Sequence, residues 1–473
     1  MSTRAGVASI VGVTSLATLL ANLSSTVTYL AAPEITGSFG VAQPAAIVSV
    51  IAYLVPFAVV MPVIAKVGDA YGHKRVLLAG LGLYTAGSLA SVAVSAFDLF
   101  LALRAIQGLG GGIMLVSMVF IVRQVPEQRQ GTGLGVWRAA LLAGTVAGPP
   151  VGGYLASLFG WRAIFWATGL AGVVALAWAA RSLRELPRQA AGRFDWVGAV
   201  AFTLGFSALV VALAAAGFGR TMGGGMTGGP LGALSALAPL YFAVFVVGLA
   251  VLLINQRVRQ QPLFAASLWR NRQFLLANAG TFLVCVGMFS AMMFTSLMLR
   301  NVFAFPPVNA SNALLLMAAA AVVFGIWGGG LTSRLGPAIP WATGFTLTAA
   351  SFVALALLVT PSGSAVWLFA LAAVSGAGQG LPLAPTAAVA LADAPPEAAA
   401  EATGWFDFSH NVGRAVAIGG LGALFVPGDP GSYTTIFWVS AALTALGAVL
   451  VLGLRRDTRA AARAAASAVP STT

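Results

Sequence analysis

The sequence predicts an all-α polytopic membrane protein of fourteen transmembrane helices, and three observations carry that expectation. Apolar runs of about twenty residues recur along the whole chain, each long enough to cross a hydrocarbon core of roughly 30 Å. Only 8% of the 473 residues are charged and 12 are acidic, against roughly 25% charged in an average soluble domain, so water is not the main solvent of this chain. Lys and Arg gather in alternate short tracts between the apolar runs, which makes the net charge of +13 mostly a topology signal. The same placement excludes a nucleic-acid-binding face, the other common reason for so basic a chain, and leaves attraction to anionic membrane lipids as a secondary effect.

The first run, 10–31, follows a start that carries Arg4 but no Ala-x-Ala cleavage pattern, so it reads as a retained span and not as a removed signal peptide. Runs two to six occupy 44–65, 77–96, 99–121, 134–157 and 161–180, separated in two places only by Phe97 and Asp98 and by the corner Phe159–Gly160–Trp161–Arg162. Runs seven and eight, 196–217 and 236–256, are bracketed by the polar tracts 181–195 and 256–273 and joined by the glycine-dense segment 217–232. Runs nine to fourteen fall at 274–298, 311–331, 341–360, 365–391, 402–425 and 434–455.

With the amino terminus inside, 19 of the 25 cationic residues lie in cytoplasmic tracts, and Arg162, Arg220 and Arg300 lie outside. Arg104, Arg138 and Arg414 fall within spans. Gaining or losing one central span would scramble this asymmetry, so it predicts an even count with both termini cytoplasmic. The expected organisation is an amino-terminal six-helix half (1–180), linkers with two inserted helices (181–273), a carboxy-terminal six-helix half (274–458) and a disordered cytoplasmic tail (459–473).

Chemistry-bearing residues are few. One cysteine, Cys285, and two histidines, His73 and His410, offer neither a disulfide framework nor a thiolate or imidazole metal centre, so no metal or cofactor is expected. No Gly-x-x-x-x-Gly-Lys-Ser/Thr loop is present, which leaves an ion gradient or a solute's own gradient as the energy source for any transport. A membrane-embedded enzyme would need a clustered base, nucleophile or metal, and the single intramembrane histidine has no matching triad. A noncatalytic receptor or scaffold would lack alternating accessibility.

Three motifs stand out. The tract after run two reads Ala65-Lys66-Val67-Gly68-Asp69-Ala70-Tyr71-Gly72-His73-Lys74-Arg75, in which Gly72 permits a tight reversal and Asp69 can cap or approach a helix amino terminus. The plainer reading is a short charged loop that only fixes orientation. Run four holds Arg104-Ala105-Ile106-Gln107-Gly108. A buried arginine costs roughly 3 kcal/mol on insertion scales, so it faces protein or an aqueous cavity unless it reaches the outer headgroups. Run five holds Gly144-Thr145-Val146-Ala147-Gly148-Pro149-Pro150-Val151-Gly152-Gly153: glycines four apart make a smooth contact face, and the two prolines interrupt the backbone ladder and predict a permanent bend.

Together these motifs resemble the major facilitator superfamily, specifically its fourteen-span drug:proton antiporter branch, over almost the whole chain. Trp161-Arg162 with Phe165, Arg193-Phe194-Asp195-Trp196-Val197-Gly198 at the start of run seven, and a weaker echo of the loop motif at Gly328–Gly336 add to the likeness. The resemblance implies a major facilitator fold: two six-helix halves around a central cavity, two inserted central helices, and rocking of the halves. Asp69, Gly72, Lys74, Arg75, Gly144, Gly148, Pro149, Pro150, Gly152 and Gly153 would serve the conformational gate. It further implies proton-coupled export of amphiphilic or hydrophobic organic compounds, drugs or secondary metabolites, by a monomer in a bacterial inner membrane. A proton-independent uniporter is the closest alternative.

Two departures from the family pattern bear on coupling. Ser24 stands where an aspartate is usual in the first helix and Tyr29 replaces an asparagine, and a serine does not titrate near neutral pH. Asp407 is then the only acidic residue placed inside a span, sharing one helical face with His410, Asn411 and Arg414 at spacings of three, four and seven. Asp407 is the first candidate for the proton site, with His410 as modulator and Glu34 as second candidate; a fixed polar contact between Asp407 and Arg414 is the alternative. Arg138 and Asp407 hold equivalent repeat positions. Candidate cavity residues are Ser24, Tyr29, Arg104, Gln107, Trp137, Arg138, Met288, Met292, Asn312, Gln379, Trp405, Asn411 and Arg414.

Overall fold

The computed structural model describes residues 4–42, 45–186, 194–221, 236–259, 263–264, 268–269, 271–336, 338–358, 365–382, 399–422, 424–426 and 429–452. Among them the chain is helical throughout, and each of the fourteen apolar runs contains a helix. The first half of the chain gives α1 (Arg4–Ser24), α2 (Ala32–Ser38), α3 (Ala45–Val59), α4 (Met61–Tyr71), α5 (His73–Ala93), α6 (Phe97–Met114), α7 (Met118–Gln124), α8 (Glu127–Phe159) and α9 (Arg162–Ser182). The remainder gives α10 (Trp196–Thr221), α11 (Ala238–Val258), α12 (Arg272–Asn301), α13 (Pro307–Leu335), α14 (Ala338–Leu358), α15 (Ala365–Gly380), α16 (Ala399–Gly422) and α17 (Pro430–Leu452). Eleven helices of the described residues are long and apolar enough to cross a membrane. The shortfall against fourteen falls on α10 and α15, whose described apolar stretches are short, and on α16, which carries Glu401, Asp407 and Arg414. The glycine-dense segment and the tail lie outside the described residues for most or all of their length.

Helix ends follow local chemistry. Run one is helical only from Arg4 to Ser24; beyond it Ser25, Thr26 and Thr28 compete for main-chain groups, as when the Ser25 hydroxyl donates to Asn22 O at 2.5 Å, and 25–31 turn instead of continuing the helix. Run two is split at Val60 because Pro62 sits in the first turn of α4, where the missing N–H costs nothing. Gly72 separates α4 from α5 with φ +103°, a conformation that a side chain would strain. The expected bend at Pro149–Pro150 does not break run five, since α8 is one helix of 33 residues.

The structure divides into two compact units. The first comprises Met1–Phe264, Leu299–Asn312 and Ile418–Pro427; in it α1 packs on α8, α3 and α5 on α6, α5 on α9, and α10 on α11. Phe100, Trp161, Phe165 and Phe39 make an aromatic cluster at the α2 end of this unit, with ring centroids 5.4–5.6 Å apart between Phe100 and each of the other three. The Phe194-Asp195-Trp196 part of the run-seven motif is a staple: Asp195 Oδ1 accepts from Gly198 N at 2.9 Å at the start of α10, and its Oδ2 accepts from Asn255 Nδ2 of α11 at 2.6 Å. Trp196 Nε1 also donates to the Tyr71 hydroxyl at 3.1 Å, tying the helix pair to the end of α4. The second unit comprises Ala265–Met298, Ala313–Ala417 and Gly428–Thr473, with α14 packed on both α15 and α17 around Trp341 and Phe345.

Candidate functional site

The loop motif forms a network of charges at one end of the first unit. Asp69 Oδ1 meets His73 Nε2 at 3.0 Å and Arg123 Nη2 at 3.3 Å. Burial pushes the Asp69 carboxyl up, but the hydrogen bond and charge of His73 and the nearby Arg123 outweigh it and hold the group below its ordinary 3.8. Asp69 therefore bonds the side chains of His73 and Arg123 instead of capping α5. That role falls to Glu185, whose Oε1 accepts from Lys74 N at 3.0 Å, while Lys74 Nζ donates to Ala180 O at 2.8 Å. Arg75 points to the exposed surface. The sequence singled out Asp69, Gly72 and Lys74, but Glu185 lies 111 residues from Lys74 and carries no local signal.

Arg104 is completely buried and held by the broken end of α1. Its Nη2 donates to Ser24 O at 3.1 Å, its Nε to Ser49 O at 3.4 Å, and its Nη1 to Gln107 Oε1 at 2.6 Å. The guanidinium sits 4.5 Å from the centroid of the Tyr53 ring, a cation–π geometry. Gln107 passes the chain on to Ser88 Oγ at 2.6 Å, and the Ser24 and Tyr84 hydroxyls share a hydrogen bond of 2.6 Å. A charge this deep is tolerable only because polar groups surround it, among them Ser24 O, a main-chain carbonyl freed where α1 ends. Ser24, Arg104 and Gln107 thus meet in one closed cluster, and Tyr29 is buried.

The glycine motif is a backbone-to-backbone seam. A Cβ on Gly144 would meet Leu19 O and come within 3.0 Å of Leu23 N; on Gly148 it would meet Thr26 Oγ1 and lie 2.9 Å from Leu23 O; on Gly152 it would overlap Val27 O. Gly153 turns to a different neighbour, Ser311 at the start of α13. Pro149 has no N–H to give to the carbonyl of Thr145 four residues earlier, and the Thr26 hydroxyl fills that vacancy by donating to Thr145 O at 2.8 Å. Pro149 is thereby accommodated without ending the helix. Replacing Thr26 by Val should leave that carbonyl buried and unmet, at about 1–3 kcal/mol, visible as earlier thermal unfolding in detergent. Thr26→Ser, which keeps the hydroxyl, should stay close to the parent.

In the second unit α12 and α16 present interlocking pairs four residues apart. Cys285 Sγ lies 3.2 Å from His410 Nδ1, and the fully buried Arg414 guanidinium lies 4.4 Å from the centroid of Phe289, whose other contact is the His410 ring at 5.5 Å. A Cβ on Gly413 would come within 2.7 Å of Phe282 O, so the helices touch closely here too. Asp407 and His410 are half-buried, and Asn411 Nδ2 donates to Asp407 O at 2.7 Å. His410, Asn411 and Arg414 share the helical face expected for them, and Asp407 lies one turn earlier on it.

The remaining candidates scatter. Trp137 is buried and donates to Ser117 Oγ at 3.2 Å, and Gln379 is buried with Nε2 on Ser375 Oγ at 3.0 Å, so both are engaged in helix packing. Trp405 packs edge-on against Trp269 at 4.7 Å. Met292 is buried, Met288 half-buried and Arg138 exposed, while Asn312 bonds to the Tyr154 hydroxyl.

Comparison with known proteins agrees with this architecture. A family model described as Major Facilitator Superfamily matches residues 14–418 and 280–471. The chain is 26% identical over 413 residues to the multidrug resistance protein Stp of Mycobacterium tuberculosis (strain CDC 1551 / Oshkosh), spanning 87% of this chain and 74% of that protein. It is 30% identical over 392 residues to the tetracenomycin C resistance and export protein of Streptomyces glaucescens, spanning 79% and 67%. A solved peptide transporter, POT, in complex with sulfate, superposes with a TM-score of 0.68 at 16% identity over 96% of this chain and 95% of its own, a likeness of fold.

Proposed function

The chain belongs to the major facilitator superfamily, and on that premise we propose that it is a fourteen-span exporter of amphiphilic or hydrophobic organic compounds, driven by proton antiport through alternating access. It is a membrane transporter and not an enzyme. The proposed setting is a bacterial inner membrane with both termini cytoplasmic, as the skew of Lys and Arg favours. The observation that carries the reading is the Gly144–Gly152 seam seated on the unwound end of α1, the element the family resemblance links with exchange. The names of the relatives, multidrug resistance and tetracenomycin C resistance and export, support organic substrates. The test in cells is efflux of a substrate panel, repeated after collapse of the proton gradient: retained efflux would leave facilitated diffusion as the mechanism.

Asp407 is the proposed proton site. The sequence places it, alone among the acidic residues, well inside an apolar run, and it is half-buried beside Asn411, one turn from His410, so a change in solvent access during the cycle would change its proton affinity. Asp407→Asn should abolish substrate-driven proton flux in vesicles while the protein still inserts; parent-like flux would end the assignment. The uniporter reading draws its support from Ser24, a non-titrating hydroxyl bonded to Tyr84 where related helices carry an aspartate.

A further inference from the structure

The polar tract 256–273 carries Arg257, Arg259, Arg270 and Arg272, yet Leu263 and Phe264 in its middle are almost completely buried, at 1% and 3% exposure. Connecting segments ordinarily run over the surface, because a buried one must find partners for its main-chain groups. Three helices of the first unit receive this pair. Lys66 Nζ, half-buried near the end of α4, donates to Leu263 O across 197 residues of sequence. Gln256, in the last turn of α11, bonds both main-chain groups of Phe264. Its amide oxygen accepts from Phe264 N at 3.0 Å and its nitrogen donates to Phe264 O at 3.2 Å, the orientation in which both ends of the amide are met. The Phe264 ring stands edge-on to the fully buried Phe202 of α10, with centroids 5.1 Å apart. On α4 the Tyr71 hydroxyl, five residues beyond Lys66, accepts from Trp196 at the start of α10, and α10 packs on α3. The end of α4 therefore holds both the entry to the inserted helix pair and its exit. The first compact unit ends, along this stretch of chain, at Phe264 itself.

We propose that Leu263–Phe264 is an anchor: Lys66, Gln256 and Phe202 dock the chain leaving α11 onto α4, so that α10, α11 and their exit move with the first unit as one body. The anchor, and not the end of α11, sets where the first unit lets go of the chain. Lys66 is a positioning residue, acting through the Leu263 carbonyl. Its place in the loop motif follows from this contact, since one turn of α4 presents Lys66 to the tether and the next presents Asp69 to His73 and Arg123. The anchor would serve a coupled exporter and a passive carrier alike.

The test needs neither substrate nor gradient, so failure of the export reading leaves it intact. The full-length protein in lipid nanodiscs, where both faces are open, is digested briefly with trypsin, and cleavage after Arg259 is followed by mass spectrometry. Lys66→Met, which keeps the apolar stem and removes the donor, should raise that rate by about fivefold or more, as loss of a charge-assisted hydrogen bond shifts a local opening equilibrium. Phe264→Ala, which removes the buried ring, should do the same. Cleavage after the exposed Arg184, just beyond α9, should stay at the parent rate, which general loosening of the fold would not allow. Lys66→Arg, which keeps a donor, and Arg129→Met, which removes an exposed cation elsewhere, should both be cut at the parent rate. Parent-like cleavage after Arg259 in both Lys66→Met and Phe264→Ala, an equal rise after Arg184, or Lys66→Arg protein cut as fast as Lys66→Met would overturn the anchor.

Discussion

Gly152→Ala is expected to abolish transport and to destabilise the protein, whereas Gly135→Ala in the same helix is expected to be harmless. Alanine is the better helix former by up to about 1 kcal/mol, so propensity alone favours both changes. The surroundings decide otherwise. Nothing lies within 4 Å of a Cβ at 135, while a Cβ at 152 would overlap the Val27 carbonyl and sit 2.8 Å from its carbon. Relief requires α8 to move away from the 25–31 turn that follows α1, because the obstacle is main chain and has no rotamer to adopt. Overpacking typically costs about 1–3 kcal/mol, and separation here would also strip the Thr26–Thr145 bond from the prolines. Thermal unfolding in detergent and an efflux assay on both variants test this: equal behaviour at 152 and 135 would show that the seam is not closed in the working protein.

Replacing Arg104 should have an effect of similar size through a different cause. Arg104→Leu removes the donors that meet Ser24 O, Ser49 O and Gln107 Oε1 in a fully buried site. Leaving a buried acceptor unmet costs about 1–3 kcal/mol and three are left here, a large share of the stability of any domain. Little of this variant should reach the membrane folded. Arg104→Lys keeps the charge, but a single ammonium cannot span three acceptors on three helices as a planar guanidinium does, so it should insert with transport strongly reduced. Full transport by Arg104→Lys would mean that charge alone matters at this position and that the anchored end of α1 is incidental.

Much of the helical framework was legible in the sequence, because twenty-residue apolar runs leave a chain in lipid few alternatives. The glycine spacing of α8 and the need to shelter Arg104 were equally readable, since each follows from the volume or charge of one residue. What satisfies them was not. Thr26 reaches Thr145 across 119 residues, Glu185 reaches Lys74 across 111, and Arg300 reaches Glu34 across 266. No periodicity encodes such pairings. The unwinding of α1 at Ser24 could have been read from Ser24, Ser25, Thr26 and Thr28, which together offer the main chain many rivals to a helical bond. Residues chosen for a cavity by their depth in a span divided into closed clusters, such as Ser24 with Arg104 and Gln107, and packing residues such as Trp137. Depth in the sequence does not say which way a helix faces.

The most direct measurement is made in proteoliposomes that hold the purified chain, a pH-sensitive dye and an imposed pH gradient. Coupled export requires that substrate moves uphill while protons move down, that adding substrate alone shifts the internal pH, and that Asp407→Asn loses both. Substrate that merely equilibrates, with no pH change in either protein, would contradict proton antiport and leave a passive carrier of the same fold.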